Sequence, residues 1–214
     1  MTLNGWRADP LVKCIRANLM LPWIARHLDC RIVLIVRHPG AVVESELRNG
    51  WNANFALERF RNDSRLHELT NGRYVSLLAR PLNHVEALTA RWVIENQWVT
   101  ESATSSGITV MYYERLRSSD GGEWSRLCSA LDLPTVPRID LLKRPSQQSG
   151  AGRISIPLEQ SKTPGWMRAL TAGQTDQVRG ILDAVEFDTY VVHEPFPRNS
   201  TQVEGKFGNS VANR

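Results

Sequence analysis

Arg37 and Ser45 are the residues whose types and spacing carry chemistry. Arg37 directly follows the run RIVLIV, residues 31–36, and Ser45 comes eight positions later, with a Pro39-Gly40 turn between them. A guanidinium offers planar pairs of N–H donors and a hydroxyl offers one more, so the two converge on one phosphate if the helix after the turn folds back past the strand. The position itself favours an anion. In open α/β sheets ligands bind at the carboxyl ends of strands, where a starting helix presents unpaired backbone N–H groups and the positive end of its dipole. The spacing leaves an alternative open, in which Arg37 pairs with a carboxylate such as Glu44 and Ser45 faces the helix surface. His27, His38 and Glu44 are the nearby titratable groups, and each reads as a surface or packing residue.

A strand, a turn and a helix must position these two side chains. RIVLIV is a continuous β-branched and leucine run bounded by polar residues, the pattern of a strand buried on both faces of a parallel sheet. His38-Pro39-Gly40 breaks it, and Ala41, Val42, Ser45 and Leu47 begin a helix that ends near Asn49-Gly50. Upstream, residues 11–15 form a short apolar run interrupted by Lys13 and read as a strand, followed by a helix over 17–28 with Leu19, Trp23 and Ile24 at helical spacing. Residues 51–81 read as broken helices and loops over one face. The three-and-four recurrence of Val85, Leu88, Trp92, Glu95, Asn96 and Val99 predicts one long helix over 84–102. A β-rich run at 108–113 follows Gly107, with helices at 124–133 and 171–185. Trp92, Trp98, Trp124 and Trp166 fall on helical periods as core anchors. Strands alternating with helices predict an α/β fold with a parallel sheet, one domain over 1–195 and a polar, disordered tail over 196–214.

Composition narrows the function classes. The 214 residues are 42% hydrophobic and 22% charged, ordinary values for a globular domain, and contain neither an apolar run of membrane-spanning length nor a secretory leader pattern at their start. A cytoplasmic protein without a membrane partner is expected. Cys14, Cys30 and Cys128 have no CxxC or zinc-ligand spacing, so reduced, buried thiols are expected and no metal. The net charge of +4 suits an anionic ligand, but 26 basic against 22 acidic side chains is too even a balance for nucleic-acid binding.

The stretch VKCIRANLMLPWIARHLDCRIVLIVRHPGAVVESELRNGW, with Arg37, Pro39 and Ser45 in place, resembles the 3′-phosphate-binding segment of sulfotransferases that use phosphoadenosine phosphosulfate (PAPS). Downstream, VMYYERLRSSDGGEWSRLCSALDLP is similar to that family's strand ending in Tyr-Glu with its following helix, and the likeness extends over most of residues 11–190. The resemblance implies a P-loop nucleotide-kinase-like parallel sheet flanked by helices. It implies that Arg37 and Ser45 grip the 3′-phosphate of PAPS or of adenosine 3′,5′-bisphosphate, and that Tyr113 lies near the adenine. Lys13 matches a lysine that stabilises charge on the transferring sulfonate. Arg144 and Ser146 lie where the family supplies a second contact to the 3′-phosphate, although the Arg-Lys-Gly form is lacking. The implied activity is transfer of a sulfonate to a hydroxyl or amine of a small-molecule or carbohydrate acceptor.

Two departures qualify that expectation. Nothing ahead of Leu11 fits the family's Pro-x-x-Gly-[ST]-[ST] loop for the 5′-phosphosulfate, which predicts an N-terminally truncated domain with little or no transfer activity. Ile15 stands where many members carry a basic histidine, so the general base is unassigned. A missing interior strand would also leave backbone groups of RIVLIV or its neighbour unpaired, and a homo-oligomer joined through the open edge is expected as one remedy. The alternatives are another nucleotide-binding phosphotransferase of the same fold, for which no Walker-type lysine loop is visible, and a non-catalytic scaffold.

Overall fold

The two β-rich runs pair with each other. In the computed structural model, which describes residues 11–118, 121–133 and 164–198, β1 (Ile32–Val36) and β2 (Ile108–Tyr112) form a parallel ladder with Ile32 beside Ile108 and Val36 beside Tyr112. A parallel pair needs a long crossover between its strands, and here the crossover is helical throughout. After a single 3-10 turn (Asn18–Met20), α1 (Leu21–His27) leads into β1, and α2 (Pro39–Arg48) leaves it. Then come α3 (Asn54–Asn62), α4 (Ser64–Leu69), α5 (Val75–Ala79) and α6 (His84–Ser102). Beyond β2 lie α7 (Tyr113–Leu116), α8 (Gly122–Ala130), α9 (Gly165–Ala169) and α10 (Ala172–Ala184). The described residues are therefore α/β and mostly helical, with a two-stranded parallel sheet.

The long helix expected over 84–102 is the spine of the core. Its start is set by a reciprocal capping box: Asn83 accepts from the Glu86 backbone N–H at 3.0 Å, and the Glu86 carboxylate accepts from the Asn83 N–H at 2.9 Å. Leu88, Ala90, Val93, Ile94 and Val99 are fully enclosed, and α2, α3 and α10 pack around them with the buried face of β1. Gly107 stands between the end of this helix and β2 at φ 67°, a left-handed turn that only glycine makes without strain. Of the tryptophans read as core anchors, Trp92 and Trp166 are buried, while Trp98 and Trp124 are half-buried.

The structure corrects three expectations and bears out the broken helices and loops read over 51–81. Residues 11–15 are not a strand: Leu11 and Val12 are 94% and 83% exposed, and an apolar run without a ladder partner has nothing to hold it extended. Nor is RIVLIV buried on both faces. Ile32, Leu34 and Val36 face the core, but Ile35 is 54% exposed while its registered neighbour Met111 is fully buried, so the cover on the second face reaches β2 and stops short of β1. The segment 51–81 is three short helices, and α3 and α5 contribute Leu57, Leu77 and Leu78 to the core. Cys14 and Cys30 are exposed, because they sit in irregular chain before α1 and before β1, and only Cys128 is buried. No described helix is long and apolar enough to cross a membrane.

Two contacts lock the unit that follows β1. The Glu46 carboxylate of α2 and the Arg91 guanidinium of α6 make a buried ion pair, with Glu95 3.9 Å from the Arg91 Nε. The first turn of α2 lies flat on α9, so close that a Cβ on Gly40 would sit 2.4 Å from Cζ3 of Trp166. Gly40→Ala is therefore expected to destabilise the fold by about 1–3 kcal/mol, the usual result of overpacking against a ring that cannot retreat. Urea unfolding checks this: an unchanged midpoint would mean that Trp166 is free to move.

Candidate functional site

The parallel register dictates what meets at the carboxyl end of the sheet. Val36 and Tyr112 are the last registered pair, so the next residues of the two strands, Arg37 and Tyr113, emerge side by side. The Arg37 guanidinium carbon lies 5.3 Å from the centroid of the Tyr113 ring, within cation–π range. Arg37 is exposed, Tyr113 is half-buried, and no carboxylate lies within ion-pair distance of Arg37 among the described residues. The suggested partner Glu44 pairs instead with Arg48, one helical turn on, at 3.2 Å.

Beneath this pair is a buried polar knot. Glu114 follows Tyr113, and its carboxylate accepts from the His38 backbone N–H at 2.9 Å and from the Tyr190 hydroxyl at 2.8 Å. Burial raises the Glu114 pKa, while these two hydrogen bonds and the charge of Arg37 oppose the rise. Burial and the Glu114 carboxylate likewise push Tyr190 well above the ordinary phenol range. One carboxylate thus ties the ends of both strands to the chain after α10.

His38 fills the place where an anion was expected. Its Nδ1 accepts the Gly40 N–H at 3.0 Å, which puts the imidazole proton on Nε2, facing the Val191 carbonyl at 3.4 Å. The ring stacks on Trp166 with centroids 4.2 Å apart and meets Tyr190 edge-on. Pro39, Gly40 and Ala41 are buried with it, so the first donor of α2 is satisfied internally and the helix start is sealed. This corrects the expectation of a helix end open to a phosphate: a histidine able to cap its own helix competes for the same N–H. His38 is thus a capping and packing residue, and burial lowers its pKa to about 4.

The other expected site residues are dispersed. Ser45 is half-buried on α2, and its Oγ lies 3.5 Å from the Arg48 guanidinium; no contact joins it to Arg37. Lys13 is exposed in the irregular segment before α1. His27 stacks on Trp23 at the surface, with its Nδ1 2.8 Å from the Trp23 carbonyl oxygen. Arg144 and Ser146 lie outside the described residues. The structure thus joins Arg37 with Tyr113 through a ring contact, and among the described residues no hydrogen bond, ion pair or ring contact ties Ser45 or Lys13 to either of them.

Sequence reasoning missed Arg117. This residue closes α7, its guanidinium carbon lies 5.9 Å from the Tyr113 centroid, and its Nη1 donates to the Tyr113 hydroxyl at 3.4 Å. The Tyr-x-x-x-Arg spacing, one helical turn, was the available signal. Among the described residues no cluster of three or more His, Cys, Asp or Glu side chains has the arrangement of a metal site. By class, the described residues are α/β and mostly helical, with an arginine–tyrosine pair at the carboxyl ends of two parallel strands. Comparisons with models of known protein families, with curated proteins and with solved structures found no match.

The buried imidazole makes stability depend on pH with a defined sign. With a folded-state pKa near 4, below the ordinary 6.5, His38 takes up its proton in the unfolded chain first. Its contribution is complete above about pH 6.5 and is lost as pH falls toward 4, reaching a loss of about 2 kcal/mol by pH 5. Glu114, with its raised pKa, acts in the opposite sense. Comparison with His38→Gln isolates the histidine, and urea midpoints at pH 7 and pH 5 are expected to fall further for the natural chain than for the variant. Parallel falls would show that the imidazole titrates normally.

Proposed function

We propose that this chain is of the sulfotransferase type and that it binds the 3′-phosphoadenosine half of PAPS, or adenosine 3′,5′-bisphosphate, at the Arg37–Tyr113 pair. The observation that carries the reading is an exposed guanidinium without a carboxylate partner among the described residues, held on a tyrosine ring at the carboxyl ends of two paired parallel strands. These are two of the side chains that the resemblance assigns to the nucleotide, and they come from motifs more than seventy residues apart in sequence. A phosphate turns the unpaired cation into a charge-assisted, bidentate contact, and the aromatic ring beside it is a flat surface for a purine. Ser45 joins the site if its hydroxyl leaves Arg48, a weak contact at 3.5 Å.

In this reading the sheet belongs to the nucleotide-kinase-like class, and relatives move the sulfonate by in-line displacement onto a hydroxyl or amine. The 5′-phosphosulfate is held in that family by a glycine loop outside the motifs matched here, so these 214 residues by themselves are expected to bind the nucleotide and to transfer sulfonate poorly or not at all. Lys13, exposed and distant from any partner in the described structure, is assigned to the sulfonate on the resemblance alone.

Calorimetry tests the binding. Adenosine 3′,5′-bisphosphate is expected to bind at least roughly tenfold more tightly than adenosine 5′-monophosphate, and Arg37→Ala to remove that preference, as loss of a charge-assisted contact of about 1.5–3 kcal/mol requires. Equal affinity for the two nucleotides in the natural chain would defeat the reading.

A further inference from the structure

Arg117 and Arg37 approach the same ring. Their guanidinium carbons lie 5.9 Å and 5.3 Å from the centroid of Tyr113, and Arg117 also holds the hydroxyl of that ring. Several other arginines of the described structure are neutralised locally, among them Arg31 by Asp132, Arg48 by Glu44, Arg73 by Glu101, Arg91 by Glu46 and Arg126 by Glu123. Neither Arg37 nor Arg117 has such a partner among the described residues. Among the described residues the carboxylate nearest to Arg117 in sequence, Glu114, already receives the His38 N–H and the Tyr190 hydroxyl.

Two like charges gathered on one half-buried ring repel each other, and the ring's electron-rich face offsets only part of that repulsion. An anion between them converts the repulsion into two attractions. Both positions are fixed by the backbone: Arg37 leaves the end of β1, and Arg117 caps the short helix that begins with Tyr113 at the end of β2.

We propose that Arg117 is a second anion-binding side chain of this site, forming with Arg37 a two-guanidinium clip across Tyr113 for a doubly charged phosphate or sulfate group. The clip rests on the preceding reading only for the adenosine part of its ligand, since any dianion of that size satisfies two guanidiniums. It gives Tyr113 a different task from contact with a base. The ring holds both cations in place, and a purine stacks on the outer face of a guanidinium or on whatever part of the ring the cations leave open.

The test uses the full chain, its Arg117→Ala, Arg117→Gln and Arg117→Lys variants, and Arg65→Ala as a control that removes one exposed charge elsewhere. Each is titrated calorimetrically with adenosine 3′,5′-bisphosphate and with adenosine, and is melted with and without inorganic phosphate. Arg117→Ala and Arg117→Gln are expected to bind the bisphosphate roughly tenfold more weakly, with adenosine and the Arg65→Ala control unchanged. Lysine is expected to restore little, because a point charge lacks the planar donors and the ring contact. Bisphosphate affinity unchanged in both Arg117→Ala and Arg117→Gln would overturn the clip and leave the nucleotide reading standing. If the natural chain ignores the bisphosphate but inorganic phosphate raises its melting temperature and not that of Arg117→Gln, the clip stands and the nucleotide reading falls. No response to either ligand would overturn both.

Discussion

A single buried carboxylate organises the carboxyl end of the two-stranded sheet. Glu114 accepts one hydrogen bond from the backbone just after β1 and another from Tyr190, while its own backbone continues from β2. Taking a carboxylate out of water is unfavourable unless its oxygens are satisfied, and here each oxygen has one directed donor. The knot therefore fixes the relative height of the two strand ends, and with it the height of Arg37 against Tyr113. The aromatic wall of His38, Trp166 and Tyr190 keeps water from competing for those bonds.

The second constraint is the Glu46–Arg91 ion pair between α2 and α6. Buried pairs contribute little net stability, but breaking one partner strands a charge, so such pairs specify which face of a helix turns inward. With Glu46 committed to the core, Ser45 is rotated by about 100° around α2 and falls on its flank beside Arg48. The same geometry keeps Glu44 with Arg48 and away from Arg37. That Arg37 has no ion-pair partner among the described residues is thus partly a consequence of how α2 is clamped.

Much of the frame was legible in the sequence because period and punctuation act locally. The apolar recurrence from Val85 to Val99 and the capping residues Asn83 and Glu86 define α6 without tertiary help. RIVLIV and the run after Gly107 announce strands, and Arg37 was legible as the residue following the first, whereas Tyr113 was singled out only through the family resemblance. What stayed hidden depends on contacts across the chain. The one-sided burial of β1 follows from a sheet of two strands whose outer β2 edge is closed by side chains of α8: Glu123 accepts the Tyr112 N–H, and Arg126 donates to the Val110 carbonyl. The sealing of the α2 start by His38 depends on Trp166, which lies far downstream. Arg117 escaped because its four-residue spacing from Tyr113 marks a contact only where residues 113–117 are helical, and the folding of α7 brings it onto the ring.

The claim on which the account turns is that an anion belongs beside Arg37 on the Tyr113 ring. A crystal structure of the chain with adenosine 3′,5′-bisphosphate tests it most directly. A phosphate oxygen is expected about 3 Å from the Arg37 guanidinium nitrogens, with Tyr113 flanking the nucleotide. A bisphosphate bound elsewhere, with Arg37 still resting on the tyrosine and touching no ligand atom, would contradict it.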